Sequence, residues 1–188
     1  SLLLNEGVDS LISAEAQYWI AEILAEEKKA TEAIYEYQKV IDLYPDSSVS
    51  DNAWYGIGMV HFEQSEYAKA LSTFKLVSVN LQSELSTAAR FRMGECFRML
   101  REFNTAILNY KKILGALSPY ADDASYQIGI CYFQLRDYQG AISELRKLVE
   151  TFPETDLRPY ALYHLGLAYF NLEQYLERIS NSLNDNSK

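Results

Sequence analysis

The sequence predicts an all-α protein, an α-solenoid of about five helical hairpins of which the last is incomplete. A small residue recurs every 35 to 37 residues, at Ala21, Gly58, Gly94, Gly129 and Gly166. An alanine follows the first four after twelve residues, at Ala33, Ala70, Ala106 and Ala141. A period of this length is typical of stacked pairs of antiparallel helices, which approach closely only where facing side chains are small.

Large residues keep the same register as the small ones. An aromatic residue opens each predicted second helix after the first hairpin, at Tyr67, Phe103, Tyr138 and Tyr175. A large residue lies sixteen positions after each of the first four small residues, at Tyr37, Phe74, Tyr110 and Leu145. These spacings place large and small positions on the same helix faces, where a packed core is expected.

The linkers carry turn residues. Tyr44-Pro45-Asp46-Ser47 and Phe152-Pro153-Glu154-Thr155 are predicted to stop one helix and to cap the next. Proline cannot continue a helix, and Asp, Ser and Thr side chains can accept hydrogen bonds from the unpaired amides of a helix start.

The second hairpin carries the residues that identify the repeat type. Trp54, Ile57, Gly58, Ala70 and Phe74 fit the Trp, Leu, Gly, Ala, Phe pattern of the tetratricopeptide repeat. The chain resembles that family from about residue 14 to residue 182, which implies a right-handed solenoid whose first helices line a concave groove. The Tyr-Pro-Asp-Ser linker and the long units resemble most the bacterial cell-envelope type, as in the Tol-Pal accessory protein and the barrel-assembly lipoprotein.

The register divides the chain into predicted units. Residues 1–13 form an N-terminal cap or a remnant of a preceding unit, with Leu4, Val8, Leu11 and Ile12 on one helix face. The solenoid covers residues 14–183, and 184–188 are a polar tail. Its units are approximately 14–48, 51–83, 87–119, 122–156 and 159–183. The fifth is expected to be incomplete because Arg178 stands at its alanine position and Ser182 at its large position.

Charge excludes some partners. The chain has 17 basic and 26 acidic residues, a net charge of −9, and no basic stripe, so nucleic acid is not expected as a partner. Without an apolar run long enough to span a bilayer, direct membrane insertion is not expected either. The compartment stays open between cell envelope or periplasm and cytoplasm, because a removed signal peptide or a larger parent chain would be compatible with a first residue other than Met.

No residues form a recognisable catalytic, cofactor or metal site. His61 and His164 lie over a hundred residues apart, and His61 stands in a column that otherwise holds large apolar residues. Cys96 and Cys131 occupy equivalent positions in neighbouring units and are predicted to be buried thiols. The sequence therefore predicts a protein that is not an enzyme and needs no cofactor.

The predicted partner-binding residues lie on the first helices. Three columns face the groove, and two of them are rich in aromatic residues. The column three residues before each small residue holds Tyr18, Tyr55, Phe91, Tyr126 and Tyr163. The next column holds Glu22, Met59, Glu95, Ile130 and Leu167. The column four residues after each small residue includes Phe62, Phe133 and Phe170, together with Ala25 and Arg98.

Rows of Tyr and Phe suit the capture of an extended peptide or a partner helix, although the same rings could simply fill the space between neighbouring helices. The acidic start of the groove, with Glu15, Glu22, Glu26, Glu63 and Glu95, is expected to attract basic side chains. Co-chaperones of this family hold a terminal carboxylate with Lys and Asn at positions that are Tyr18, Glu22, Tyr55 and Met59 here, so that use is not expected.

The sequence thus favours a non-catalytic protein–protein interaction scaffold, in a bacterial envelope assembly if the finer resemblance holds. Two alternatives stay open. One is self-association through an apolar end around Tyr169, Leu172 and Tyr175. The other is a regulatory segment of a larger enzyme.

Overall fold

The structure is a computed structural model that describes residues 2–78, 84–115 and 118–185, with side chains described between residues 13 and 178. Across these residues the secondary structure is entirely helical. Within the described ranges nine helices follow one another: α1 (Leu2–Glu26), α2 (Ala30–Leu43), α3 (Ser50–Glu63), α4 (Tyr67–Val77), α5 (Glu84–Met99), α6 (Phe103–Lys111), α7 (Ala121–Gln134), α8 (Tyr138–Thr151) and α9 (Arg158–Asp185).

The helices form two compact units, Ser1–Leu100 and Arg101–Lys188. In the first unit α1 packs on α2, α2 on α3, α3 on α4 and α4 on α5, and the first helices α1, α3 and α5 also touch in sequence. In the second unit α6 packs on α7, α7 on α8 and α8 on α9, with a further contact between α7 and α9. This succession of neighbours is that of stacked helical hairpins.

A residue in the left-handed region ends the first helix of each of the first four hairpins. These residues are Lys28, Ser65, Arg101 and Arg136, with φ between 60° and 63°, each seven positions after the small residue. At Arg136 the amide donates to the Phe133 carbonyl and the next amide to the Tyr132 carbonyl, which closes the helix end. The repeat therefore fixes the turn as well as the core.

Gly58 and Gly129 of the small-residue column each face a large side chain of the second helix. A Cβ added at Gly58 would lie 2.6 Å from the Phe74 ring, and one at Gly129 would lie 2.7 Å from two carbons of Leu145. Phe74 and Leu145 are fully buried. The close approach thus involves the large residue sixteen positions later, in addition to the alanine twelve positions later that the spacing singled out.

The fifth hairpin is incomplete, as the sequence predicts. Residues 158–185 form the single helix α9, which continues through Glu173, the position where the register would place the left-handed residue. In the part of the chain that the structure describes, a Cβ at Gly166 would meet nothing within 4 Å. The sequence explains the incomplete hairpin in part. Arg178 is too large for the alanine position of a helix crossing, and Ser182 is too small for its large position.

The predicted helix stops are confirmed but one predicted cap is wrong. Helix α2 ends at Leu43 and α8 at Thr151, before Pro45 and Pro153. The N-cap of α3 is Val49, whose apolar side chain makes no capping hydrogen bond. Asp46 and Ser47, which were expected to cap the helix, lie earlier, in the preceding turn. Before α9 the Thr155 hydroxyl oxygen accepts a hydrogen bond from the Leu157 amide at 3.2 Å, which stabilises the turn one residue before the helix begins at Arg158.

Asp137 is the N-cap of α8, and its Oδ1 accepts a hydrogen bond from the Gly140 amide at 2.9 Å. We expect Asp137→Ala to lower the free energy of unfolding by about 1 kcal/mol, since a helix start loses its capping acceptor. Glu102 occupies the same register before α6 without a side-chain capping bond, so Glu102→Ala is the matched control and should change little. Urea unfolding followed by circular dichroism measures both. Equal losses in the two variants would contradict the capping role.

Both cysteines are buried free thiols, as predicted. Burial, and then the charge of the adjoining Glu95, raise the pKa of the Cys96 thiol to about 12. The first residue of their column, Ile23, is by contrast 55% exposed. The one-sided pattern of Leu4, Val8, Leu11 and Ile12 lies on α1, but their side chains are outside the described part and that prediction stays untested.

Candidate functional site

A cleft of about 380 Å³ opens between the first helices of the first unit. Four predicted groove residues line it together, Tyr18 and Glu22 from α1 with Tyr55 and Met59 from α3. The other lining residues come from α1, α2, α3 and α5, and they are Ala25, Glu26, Tyr37, Asn52, Gly56, Val60, Glu63 and Leu85. We call this space the first-unit cleft.

A buried tyrosine of the second helix α2 forms the floor of the first-unit cleft. The Tyr37 ring is 1% exposed and lies 6.0 Å from the Tyr18 ring between centroids. Gly56 of α3 makes room for it, since a Cβ there would lie 2.4 Å from the Tyr37 ring. The Tyr37 hydroxyl donates a hydrogen bond to Glu22 Oε1 at 2.5 Å.

Glu22 is thus held by the Tyr37 hydroxyl. Burial, and then the hydrogen bond to Glu22 and its negative charge, raise the pKa of Tyr37 far above its usual value. The same three causes, in the same order, raise the pKa of Tyr18. Both hydroxyls therefore stay protonated at neutral pH, and the Tyr37 hydroxyl is the donor that lies within hydrogen-bond distance of the carboxylate.

The first-unit cleft carries negative charge. Glu22, Glu26 and Glu63 line it, and its lining includes no basic residue. Lys28 lies in an adjoining cavity of about 140 Å³ at the hairpin turn, which it lines with Glu63. The tyrosines Tyr18 and Tyr55 line the same cleft as these carboxylates. The Tyr55 ring packs against the Phe74 ring, with 5.4 Å between their centroids.

The other predicted groove residues of the first unit are buried or contact neighbouring side chains. Phe62 packs edge-on against Tyr67 at 5.5 Å, and the Arg92 guanidinium lies 6.0 Å from its ring centroid. Phe91 and Glu95 are each 8% exposed. Arg98 binds the Glu95 carboxylate at 3.0 Å, because the two residues are one helical turn apart.

In the second unit some predicted groove side chains are packed against neighbours and others are exposed. Phe133 packs edge-on against Tyr138 at 5.6 Å, the same contact that Phe62 makes with Tyr67. Tyr126 and Ile130 of α7 and Leu167 of α9 are partly buried. Tyr163 and Phe170 of α9 are 64% and 58% exposed.

His164 joins the aromatic residues of α7 and α9, a role that the column analysis missed. Its Nδ1 lies 3.1 Å from the Tyr126 hydroxyl oxygen and 3.0 Å from the Tyr160 carbonyl oxygen. Its ring also stands edge-on to Tyr163 at 5.3 Å. His61 has an acidic partner instead, with its Nδ1 2.8 Å from Glu66 Oε2.

Within the described residues we found no group of three or more His, Cys, Asp or Glu side chains that could hold a metal ion. No helix in the described part combines the length and the apolar character that crossing a membrane requires.

Comparison with known sequences agrees with the repeat register. The sequence model of the tetratricopeptide repeat matches residues 15–47 and 123–155, which include α2 and α8. The two matched segments and the solved structures below support the assignment of the helical hairpins as tetratricopeptide repeats. No curated protein is similar enough to the chain to count as a match.

Solved tetratricopeptide-like structures share the fold. A MamA protein structure is 21% identical, with 89% of this chain and 86% of that chain covered and a TM-score of 0.69. A tetratricopeptide repeat protein from Parabacteroides merdae is 18% identical, over 93% and 67% of the two chains, with a TM-score of 0.70. MamA from Desulfovibrio magneticus RS-1 is 17% identical, over 93% and 96%, with a TM-score of 0.68. At these identities the likeness shows the fold, a solenoid of helical hairpins.

Proposed function

We propose that the chain is a non-catalytic protein–protein interaction scaffold that binds a segment of a partner protein in the first-unit cleft. The observation that carries the proposal is the convergence of Tyr18, Glu22, Tyr55 and Met59 on one cleft of about 380 Å³. Half-buried tyrosines give a ligand a large, stiff contact area with a polar edge, at small cost in side-chain entropy. Repeats of this family support the same general role.

The linkers support a finer proposal about context. Tyr44-Pro45-Asp46-Ser47 resembles linkers of envelope tetratricopeptide proteins, so we propose that the partner belongs to a bacterial envelope assembly. The nature of the binding surface does not depend on this location.

A selection of random dodecapeptides displayed on phage, with the full chain as bait, tests the proposed surface. We expect enriched peptides whose affinity, measured by fluorescence anisotropy, falls at least about tenfold in Tyr55→Leu, a loss typical of a central aromatic contact. Tyr35 on α2 is 61% exposed and lies outside the cleft, so Tyr35→Leu is the matched control and should bind normally. Enriched peptides that bind Tyr55→Leu as tightly as the unmodified chain would contradict the proposal.

A second candidate function is self-association through α9. One specific observation favours it: on α9 a Cβ added at Gly166 would meet nothing within 4 Å among the described residues, and the rings of Tyr169 and Tyr175 are exposed. Exposed apolar surface at the end of a repeat stack is usually covered. Light scattering over a hundredfold range of concentration tests this candidate, and a constant monomer mass would rule it out.

A further inference from the structure

We propose that the first-unit cleft recognises a basic side chain of the partner segment, an arginine in preference to a lysine, through the Glu22 carboxylate and the rings of Tyr18 and Tyr55. This inference rests on the proposed function and adds the chemistry of the ligand. It explains why a carboxylate, rather than an apolar residue, stands at the centre of an aromatic cleft.

Charge is the first reason. The cleft has the carboxylates of Glu22, Glu26 and Glu63 in its lining and no basic side chain there to neutralise them. Other carboxylates of the first unit have internal partners: Arg98 binds Glu95, and Lys39 binds Glu36 at 3.0 Å. A cationic ligand would complement the charge of the cleft, whereas an acidic ligand would be repelled.

The geometry around Glu22 is the second reason. Tyr37 is fully buried and donates to Glu22 Oε1 at 2.5 Å, so the carboxylate is fixed from below. An ionised carboxylate has about four lone-pair positions, and the Tyr37 hydroxyl uses one of them. The remaining positions can accept hydrogen bonds from a guanidinium, whose planar set of donors matches a carboxylate better than an ammonium does.

The aromatic walls are the third reason. Tyr18 of α1 and Tyr55 of α3 line the same cleft as Glu22. A cation close to the face of a tyrosine ring is attracted by the ring quadrupole, and a guanidinium can also stack on it. The volume of about 380 Å³ is ample for one arginine side chain and part of its backbone.

The test uses peptides selected on the full chain as described above, resynthesised with each arginine replaced in turn by citrulline, its neutral isostere. We expect one replacement to weaken binding at least about tenfold, because a charge-assisted hydrogen bond is lost. Glu22→Gln should weaken binding of the arginine peptide by a similar factor and leave binding of the citrulline peptide nearly unchanged. Glu32 on α2 is exposed and outside the cleft, so Glu32→Gln is the control.

The outcomes separate the two proposals. Peptides without a basic residue that still require Tyr55, or arginine peptides insensitive to Glu22→Gln, would overturn the basic-ligand inference and leave the scaffold proposal standing. Peptides that ignore Tyr55 would overturn both. Tyr37→Phe gives an independent readout, since it removes the hydroxyl that fixes Glu22 and keeps the buried ring. It should reduce the preference for arginine over lysine, and an unchanged preference would contradict the positioning of Glu22 by Tyr37.

Discussion

Replacing Phe74 by alanine should lower the free energy of unfolding by about 3 to 5 kcal/mol, the range for loss of a buried aromatic side chain. Phe74 is fully buried in the core of the first unit, where it fills the space beside Gly58 and supports the Tyr55 ring. Little can move in to fill the cavity, because its neighbours Ala70 and Ala89 are small and fully buried themselves.

The matched control for Phe74→Ala lies two residues further along the same helix. Leu76 is 54% exposed, so Leu76→Ala should change the free energy of unfolding by about 0.5 kcal/mol or less. Urea unfolding followed by circular dichroism measures both variants. A loss below about 1 kcal/mol for Phe74→Ala would mean that α4 does not pack on α3 in the register described.

Replacing Gly129 by leucine should lower the free energy of unfolding by about 3 kcal/mol, a severe case of overpacking. The new Cβ alone would lie 2.7 Å from the Cγ and Cδ2 atoms of Leu145, whose side chain is fully buried between α7 and its neighbours. Helix α8 would have to move away from α7 to admit the larger residue.

Gly166→Leu is the matched control, because Gly166 stands at the equivalent position of the fifth repeat with nothing within 4 Å of an added Cβ. It should leave stability unchanged or raise it slightly, since glycine is a poor helix former. Thermal unfolding of the two variants side by side decides the matter. Similar melting temperatures would contradict the claim that the fifth repeat lacks its second helix.

The hairpin register could be predicted from the sequence because it depends on residue size at fixed spacings. Tyr67, Phe103 and Tyr138 begin α4, α6 and α8, as expected. The incomplete fifth hairpin was also predictable, since Arg178 cannot replace an alanine at a close crossing. The prediction that Tyr175 opens a second helix was wrong, because Tyr175 lies inside α9. The signal was available, since Leu172-Glu173-Gln174 has no residue that ends a helix.

The candidate site was predicted less completely, because it depends on contacts between helices. Glu22 and Tyr18 were identified as groove residues, but Tyr37 was assigned to the core by its spacing. A buried tyrosine hydroxyl needs a hydrogen-bond partner, and this requirement was the available signal for its link to Glu22. Phe133 was expected in the groove from its column alone, and that column gave no sign that Tyr138 and His164 would contact its ring.

Photo-crosslinking in native cells tests most directly whether the first-unit cleft holds a segment of another protein. A photoreactive residue at Met59, which lines the cleft, is compared with one at Tyr35, which is exposed on α2 outside it. We expect a discrete foreign protein to be captured from position 59 alone, through a segment that carries an arginine or lysine. Two results would contradict the account. One is capture of that protein from position 35 but not from position 59, and the other is capture of nothing but further copies of this chain from position 59.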